Sequence, residues 1–328
     1  MNNKNRTAKN ISVFFILITI VFSHMSCNLT TNNDIIDQGC GLVINRFEKD
    51  FFTIDDAKFD LDVINCKERY PNFFMDPKKD IKTDLFLNDS LRTVFDSVML
   101  INSSMPSVDK LYEGFCNYKD YFPKDTFSII TYIDHDFDYR YPVVYAKEKL
   151  FVALHMFLGH NHSFYHFLPD YIRFMQDTTF FPITTFATLA GKHITPTPTN
   201  NLLEAMIFSA KPLFFVEKML PGVDDYKLLR CYSEKMNWCK NNEKLIWEYM
   251  VENEYLFSSN SELIDGFISL APFSSFGLEI DTNSPGGVGT WLGLQILRSY
   301  EKAHKVSLLE VLRDNDYIDI LNKSGYRP

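Results

Sequence analysis

Four histidines lie within twelve residues of the sequence: they are His155, His160, His162 and His166. Imidazole nitrogens are common zinc ligands, so such a group could hold a metal ion. A zinc hydrolase, however, typically places two histidines four residues apart on one helix with a glutamate between them. Here the spacings are five, two and four, no glutamate lies among them, and Gly159 interrupts the run. The pattern therefore predicts a surface or partly packed loop, with no metal site and no cofactor.

Acidic and nucleophilic residues do not form a catalytic set either. Asp134, Asp136 and Asp138 could supply oxygen ligands to calcium, but the glycine and glutamate of a calcium loop are missing. No G-x-S-x-G nucleophile motif occurs. Glu204 and Glu217 could act as a base or a third ligand only beside suitably placed histidines. We predict a solvated acidic hairpin at residues 134–138, no catalytic residues, and therefore no enzyme.

A glycine-rich turn leads directly into an apolar helical run near the end of the chain. Free N–H groups at such a turn can bind anions, but a preceding strand and the Lys-Ser/Thr of a P-loop are absent. Gly293, Ile296, Leu297 and Tyr300 have the i, i+3, i+4, i+7 spacing of one buried helix face. The stretch predicts a tight turn and a closely packed helix, so Gly293→Val should destabilise the fold by about 1–3 kcal/mol. The signature residues are Pro285, Gly286, Gly287, Gly289, Trp291 and Gly293.

The N-terminus resembles a bacterial lipoprotein signal. Three basic residues precede an apolar core at residues 11–22, which is shorter than the roughly 20 residues that span a bilayer. Ser26 stands directly before Cys27, although His24 replaces the usual leucine. We predict a signal peptide at residues 1–26, cleavage before Cys27, and lipidation of Cys27. Ordinary secretion with Cys27 as a plain thiol is the alternative.

Charge and position along the chain then define the predicted organisation. The net charge is −9, and removal of residues 1–26 would take away three basic residues and no acidic one, which gives −12. Such an acidic body does not suit nucleic acid or an anionic membrane surface. We expect a polar tether at residues 27–41 and one globular domain at residues 42–328. The lipid would anchor the protein in the cell envelope, with its body facing the periplasm.

Five cysteines remain in the body: Cys40, Cys66, Cys116, Cys231 and Cys239. Their spacings match neither a C-x-x-C redox pair nor a zinc knuckle. An oxidising periplasm would permit a disulfide, and buried free thiols in a large core are equally compatible with the sequence.

The elements that must position these residues are mostly helical. An apolar fraction of 46% predicts a folded body with a sizeable core. β-Branched and aromatic runs predict strands at residues 127–133 and 141–145, and a third strand or buried segment at 149–158. Pro142 would place the second strand at a sheet edge. The expected fold is a single, predominantly helical α+β domain with a small sheet or hairpin around residues 126–158.

Helix boundaries can be predicted in the second half of the chain. Asn201 begins a buried helix over residues 202–219, which Pro212 should kink or end. Residues 226–257 predict one long helix, and Ser307 with Glu310 forms a capping box.

Several stretches together resemble the gliding-motility lipoprotein GldB family of Bacteroidetes. They occur in family order over residues 46–328: FLGHNHSFY at 157–165, LPDY at 168–171, MIFSAK at 206–211, LP at 220–221, IWEY at 246–249, APF at 271–273, SPGGVGTWLGLQI at 284–296, RSY at 298–300 and KSGYRP at 323–328. One departure is Ala210 where the family tends to have glycine, followed by Pro212, which puts close helix packing there in doubt.

The resemblance implies a scaffold similar in outline to zinc peptidases but without the metal motif. It further implies a non-catalytic lipoprotein that supports gliding motility, or broader envelope assembly or secretion, through protein partners. The alternative is a metal-dependent, peptide-directed hydrolase that uses the histidines at 155–166. A weaker option, suggested by the aromatic content of 15%, is a small-ligand-binding lipoprotein.

Overall fold

A computed structural model describes residues 35–36, 40–76, 78 and 80–328. The predicted signal peptide and Cys27 lie outside these residues. The described residues form one compact unit. Within them, no helix is both long and apolar enough to cross a membrane.

Helices dominate the architecture, which confirms the predicted α+β class. The α-helices are α1 Phe47–Phe52, α2 Phe59–Arg69, α3 Asp89–Asn102, α4 Val108–Tyr121, α5 Asp170–Arg173, α6 Phe180–Ala190, α7 Leu202–Met219, α8 Asp225–Leu228, α9 Ser233–Glu252, α10 Ser261–Ile268, α11 Val288–His304, α12 Leu308–Arg313 and α13 Tyr317–Ser324. Short 3-10 turns and one π-helical segment, Ile81–Phe86, connect some of them.

A five-stranded mixed sheet packs beside the helices. Its strands are β1 Ile35–Ile36, β2 Val43–Arg46, β3 Ser128–Tyr132, β4 Val143–Ala146 and β5 Lys149–Ala153, in the spatial order β1-β2-β3-β5-β4. The central pairs β2–β3 and β3–β5 are parallel, and both outer pairs are antiparallel. The three strands predicted around residues 126–158 are present, and the strand after Pro142 lies at the edge as expected.

The acidic stretch at residues 134–138 does not form the predicted hairpin. β5 lies between β3 and β4, so the chain leaves β3, passes the acidic loop and returns at the sheet edge. The hairpin is instead β4–β5, where Ala146 pairs with Lys149 across a two-residue turn. Lys147 and Glu148 both have positive φ angles, 49° and 59°, as a type I′ turn requires.

The folded body also begins earlier than predicted. Ile35 and Ile36, inside the expected tether at residues 27–41, pair with Ile44 and Val43. Cys40 forms a disulfide with Cys116, while Cys66, Cys231 and Cys239 are buried free thiols. The sequence left both cysteine states open, and the protein uses both. By the loop-closure argument, a crosslink across 76 residues stabilises the fold by about 4 kcal/mol.

Helices α7 and α11 form the centre of the helical layer. Asn201 caps α7, as predicted: its Oδ1 accepts a hydrogen bond from Glu204 N at 3.0 Å. Pro212 was predicted to kink or end the helix, and it does not end it, since α7 continues to Met219. A Cβ on Gly293 would collide with the backbone of Met206 and approach Ala210 Cβ at 3.1 Å. The two helices therefore do pack closely, even though alanine stands at position 210.

The predicted long helix at residues 226–257 is also wrong as a single element. It is divided into α8, a turn at residues 229–232, α9 and a short 3-10 turn, Tyr255–Phe257. Arg230 has a left-handed φ of 58°, which ends α8. No glycine or proline marks this break in the sequence, so propensity alone could not reveal it.

Candidate functional site

The histidines at 155–166 do not converge on one point. His155 is fully buried, so it is more enclosed than the surface or partly packed loop that the sequence predicted. Its Nδ1 accepts from Asp134 N at 3.4 Å, and its Nε2 lies 3.2 Å from an Asp134 carboxylate oxygen. This arrangement requires an Nε2–H tautomer, so neither ring nitrogen keeps a lone pair for a metal ion.

The remaining three histidines have separate surroundings. His160 Nε2 contacts Asp170 Oδ1 at 3.1 Å, and His162 Nδ1 accepts from Phe164 N at 3.3 Å. Burial, assisted by the charge of His166, lowers the pKa of His162. His166 itself is exposed. Across the part of the chain that the structure describes, no group of three or more His, Cys, Asp or Glu residues is arranged to hold a metal ion.

The acidic loop likewise divides its carboxylates among local partners. Asp134 accepts from Asp136 N at 2.9 Å as well as pairing with His155. Burial alone would raise the pKa of Asp134, but His155 and the other donors outweigh it, so the pKa is lowered. Asp138 forms a bidentate pair with Arg140 at 2.7 and 2.8 Å. The carboxylates at 134 and 138 therefore have different side-chain partners, His155 and Arg140.

A cavity of about 330 Å³ brings distant segments together instead. We call it the arginine pocket. It is lined by residues of four segments, at positions 169–174, 229–235, 270–272 and 285–286. Three of these segments include family-like stretches identified in the sequence: LPDY, APF and the glycine signature. The fourth is the turn between α8 and α9 that sequence patterns did not reveal.

Arg230 occupies an unusual backbone position in this pocket. Its N–H bonds to Lys227 O at 3.2 Å, and Cys231 N bonds to Tyr226 O at 2.9 Å. These two bonds form the Schellman motif, in which the left-handed residue is usually glycine. A side chain there costs roughly 1–2 kcal/mol. Turn geometry therefore disfavours arginine at this position, so the fold offers no reason for its side chain.

The Arg230 guanidinium also lacks a counter-charge. Arg230 as a whole residue is half-buried and lines the pocket. No described residue forms a hydrogen bond or ion pair with its side chain, and burial lowers its pKa with no acidic group offsetting that effect. Buried charges are normally paired because their desolvation is costly. Arg230 thus has two unfavourable features that packing does not explain.

Lys235 is the second cation of the pocket, and its role is structural. Its ammonium donates to Pro272 O at 2.6 Å, Thr282 O at 3.1 Å and Ser284 O at 2.8 Å. An ammonium has three donors, so all of them are used. Lys235 therefore fastens the APF segment and the approach to the glycine turn onto α9, while its positive charge stays close to the cavity.

The glycine signature forms one wall of the pocket. A Cβ on Gly286 would collide with the backbone of Ala271, so only glycine allows these two segments to meet. Ser274 Oγ donates to Pro285 O at 2.9 Å and accepts from Val288 N at 3.1 Å. It thereby caps the buried start of α11. The signature is a packing device, as predicted, and its packing also shapes a cavity.

Asp170 is the acidic residue that lines the pocket, and it is already engaged. Tyr232 donates to it at 2.7 Å, Arg173 at 2.9 Å, and His160 lies at 3.1 Å. The Tyr232 hydrogen bond is the largest reason that the pKa of Asp170 is lowered. Arg173 offsets this carboxylate, which leaves Arg230 and Lys235 as excess positive charge in a protein of net charge −9.

The Cys231 thiol in this pocket is not activated for nucleophilic attack. Cys231 lines the pocket, but burial raises the pKa of its thiol to about 12, so the thiolate needed for nucleophilic attack is not formed at neutral pH. The walls otherwise consist largely of apolar side chains such as Phe174, Leu229 and Leu270. An apolar cavity with one convergent cation is typical of a ligand site.

Comparison with known families decides the affiliation. A family model described as gliding motility protein GldB matches residues 28–328. The chain belongs to the GldB family. This confirms the resemblance seen in the sequence, and it makes the chain a gliding-motility-associated protein of a lipoprotein family of the cell envelope. No curated protein and no solved structure matches the chain.

The sequence thus predicted the GldB signature but not the residue that its pocket presents. Arg230 is surrounded by no motif, and residues 226–257 have the pattern of a continuous helix. A faint signal was available in Asp224 and Asp225, which begin α8, and in Ser233, which begins α9. Acidic residues and serine near helix starts favour two helices over one.

Proposed function

We propose that this GldB-family chain is a lipid-anchored, non-catalytic lipoprotein that supports gliding motility or associated envelope machinery by binding protein partners. The match to the family over residues 28–328 carries the proposal. In this proposal Cys27 is the lipidated residue, the signal peptide is removed, and the body faces the periplasm. The acidic composition supports a protein rather than a nucleic-acid partner.

The surroundings of the histidines support a non-enzymatic role. A metal hydrolase needs several ligands with free lone pairs directed at one ion and an open position for water. Here His155 uses both ring nitrogens within its own contacts, and His160 is turned to Asp170. The metal-dependent hydrolase at residues 155–166 is therefore the weaker alternative, and the chain is proposed to act by binding.

Gene deletion tests the proposed role most directly. We expect the mutant to lose surface motility or to show an envelope-secretion defect, and the wild-type gene to restore both. The Cys27→Ala gene should restore neither function, because the body would be released from the membrane. The Ser26→Ala gene should restore both, because it keeps a small residue before the cleavage site. Normal motility and secretion in the deletion mutant would contradict the proposal.

Two biochemical measurements separate the binding role from the hydrolase. Elemental analysis of the purified protein should find well under one zinc per chain, and about one tightly held zinc would revive the hydrolase. Pull-down of the lipidated protein from envelopes should recover a reproducible protein partner that is absent with Cys27→Ala. Failure to recover any partner in repeated experiments would count against the binding role.

A further inference from the structure

The arginine pocket combines features that together indicate a specific kind of ligand. Its volume of about 330 Å³ lies at the lower end of the range for small-ligand cavities, which is roughly 300–1,000 Å³. Phe174, Leu229 and Leu270 supply apolar wall, and Arg230 supplies a cation without a protein partner among the described residues. A cavity of this type is complementary to an apolar group that ends in an anion.

The number of free donors limits the charge of that anion. Lys235 contributes positive charge, but its three N–H donors are already bound to carbonyl oxygens. Arg230 is left as the guanidinium that can donate. A planar guanidinium can pair with a carboxylate or a phosphate through two parallel hydrogen bonds. The single charge of Arg230 balances one carboxylate monoanion but only half the charge of a phosphate dianion.

The protein's own carboxylates near the pocket do not supply the anion that would pair with Arg230. Asp170 is held by Tyr232, Arg173 and His160, and it has no contact with Arg230. Glu234 is exposed and follows the turn in the chain. Arginine nevertheless occupies a left-handed position that glycine adopts at lower energy. A binding role gives a reason for both the strained backbone and the unpaired charge.

We propose that the arginine pocket binds a carboxylate attached to an apolar group, with Arg230 pairing the carboxylate and the walls formed by Phe174, Leu229 and Leu270 holding the apolar part. Two sources share this chemistry: a free small carboxylic acid and the C-terminal residue of a protein chain. The inference goes beyond the proposed envelope role, because it rests on the pocket and would hold whether or not the host cell needs the protein for motility.

The test uses the lipidated protein, residues 27–328, in nanodiscs of neutral phosphatidylcholine. N-acetyl-phenylalanine and N-acetyl-phenylalaninamide differ only in the charged carboxylate, so they isolate the contribution of Arg230. The acid should bind and raise the Tm in a concentration-dependent manner, whereas the amide should bind at least about tenfold more weakly. Equal binding of acid and amide, or no binding of the acid at 10 mM or so, would overturn the proposal.

Variants of Arg230 separate binding from folding. Arg230→Gln should weaken binding of the acid at least about tenfold while its Tm stays equal to or above that of the wild type, because an unpaired cation is removed. Arg230→Gly should raise the Tm by about 2 °C or more, since glycine relieves the left-handed backbone. Lys244→Gln, an exposed lysine on α9, is the control that should leave both quantities unchanged. Undiminished binding by Arg230→Gln would refute the role of the guanidinium.

Peptides and phosphate distinguish the sources of the ligand. A tetrapeptide ending in phenylalanine with a free carboxylate would bind at least about tenfold more tightly than N-acetyl-phenylalanine if the natural ligand is a chain terminus. Equal affinities would indicate a free small acid. Inorganic phosphate should bind far more weakly than either, and phosphate binding as tight as the acid would overturn the preference for an apolar carboxylate.

Discussion

Two regions of this molecule contrast sharply: the histidine-rich segment at residues 155–166 and the arginine pocket. The first concentrates reactive side chains in sequence, yet they have separate local partners in space. The second draws on positions as far apart as 169 and 286, and they surround one cavity. Density of functional residues along a chain is therefore a poor guide to a site unless a regular element converts the sequence spacing into proximity.

The local backbone explains why the histidines disperse. They follow β5 through two short 3-10 turns, Leu154–Met156 and Ser163–Tyr165, with Gly159 between them at a φ of 104°. No α-helix spans the segment, so an i, i+4 spacing there has no fixed geometry. Three of the pocket segments are, by contrast, joined by the hydrogen bonds of Lys235 and by the close approach of Gly286 to Ala271.

The largest effect is expected where the pocket wall depends on helix packing. Gly293→Val should destabilise the fold by about 3 kcal/mol, at the upper end of the sequence-based range, because the new side chain would meet the Met206 backbone, which cannot rotate away. Ala303→Val, on the exposed part of α11, should cost at most about 0.5 kcal/mol. Denaturant unfolding measures both. Similar losses in the two variants would show that α11 is not tightly packed at Gly293.

Loss of the three hydrogen bonds that Lys235 donates, which we call the Lys235 clamp, should have the next largest effect on stability. Lys235→Met would leave the oxygens of Pro272, Thr282 and Ser284 without their donor, at a cost of about 2–3 kcal/mol. Lys244→Met, whose side chain is 68% exposed, should change the unfolding free energy by less than about 0.5 kcal/mol. If the two lysine variants unfold at the same denaturant concentration, the clamp does not hold the pocket together.

If the histidines at 155–166 have separate surroundings, their substitution should change the stability by different amounts. His155→Leu should cost about 2 kcal/mol, because Asp134 would lose its ring partner in a partly buried place. His166→Ala should be close to neutral, since His166 is exposed. Thermal unfolding with and without a chelator measures the difference. A shared metal site would instead make both variants lose the same chelator-sensitive stability.

The smallest effect concerns a histidine outside the segment. His193 is buried, its Nε2 lies 2.7 Å from Tyr118 OH, and its ring stacks on Phe122 at 3.9 Å. Burial, followed by the charge of Lys192, lowers its pKa from 6.5 to about 4. Between pH 6.5 and about pH 4, His193 is protonated in the unfolded chain but neutral in the folded protein. The free energy of unfolding therefore falls as the pH drops through this range.

We therefore expect a loss of about 1–2 kcal/mol from His193 between pH 8 and pH 5. His193→Gln should unfold with a flatter pH dependence over that interval, measured by denaturant titrations at each pH. If His193→Gln keeps the wild-type pH dependence, the loss of stability at low pH does not come from His193.

Part of the fold was predictable because local rules determine it. Asn201 and Ser307 were recognised as helix caps from residue type and spacing alone. Alternating and β-branched runs predicted the strands near residues 126–158, and the buried face of α11 followed from its period. Pro212 was predicted to kink or end α7, and it does not end the helix because packing on α11 and α6 stabilises the turns beyond the proline.

The pocket was less predictable because non-local contacts build it. The sequence suggested that Pro285 and Gly286 form a tight turn, but it could not show that Ala271 lies against this turn. Nor could it show that the chain breaks at Arg230, since arginine is a good helix former and is rarely left-handed.

By itself, the sequence determined the family, the α+β class, the helix caps and the glycines that allow close packing. These depend on residue type, spacing and order along the chain, which are local properties. Only the tertiary structure decided the strand order, the disulfide between Cys40 and Cys116, the dispersal of the histidines and the position of Arg230 in a cavity. Each of these depends on which distant segments meet, because burial and pairing energies are set by contacts rather than by neighbours in sequence.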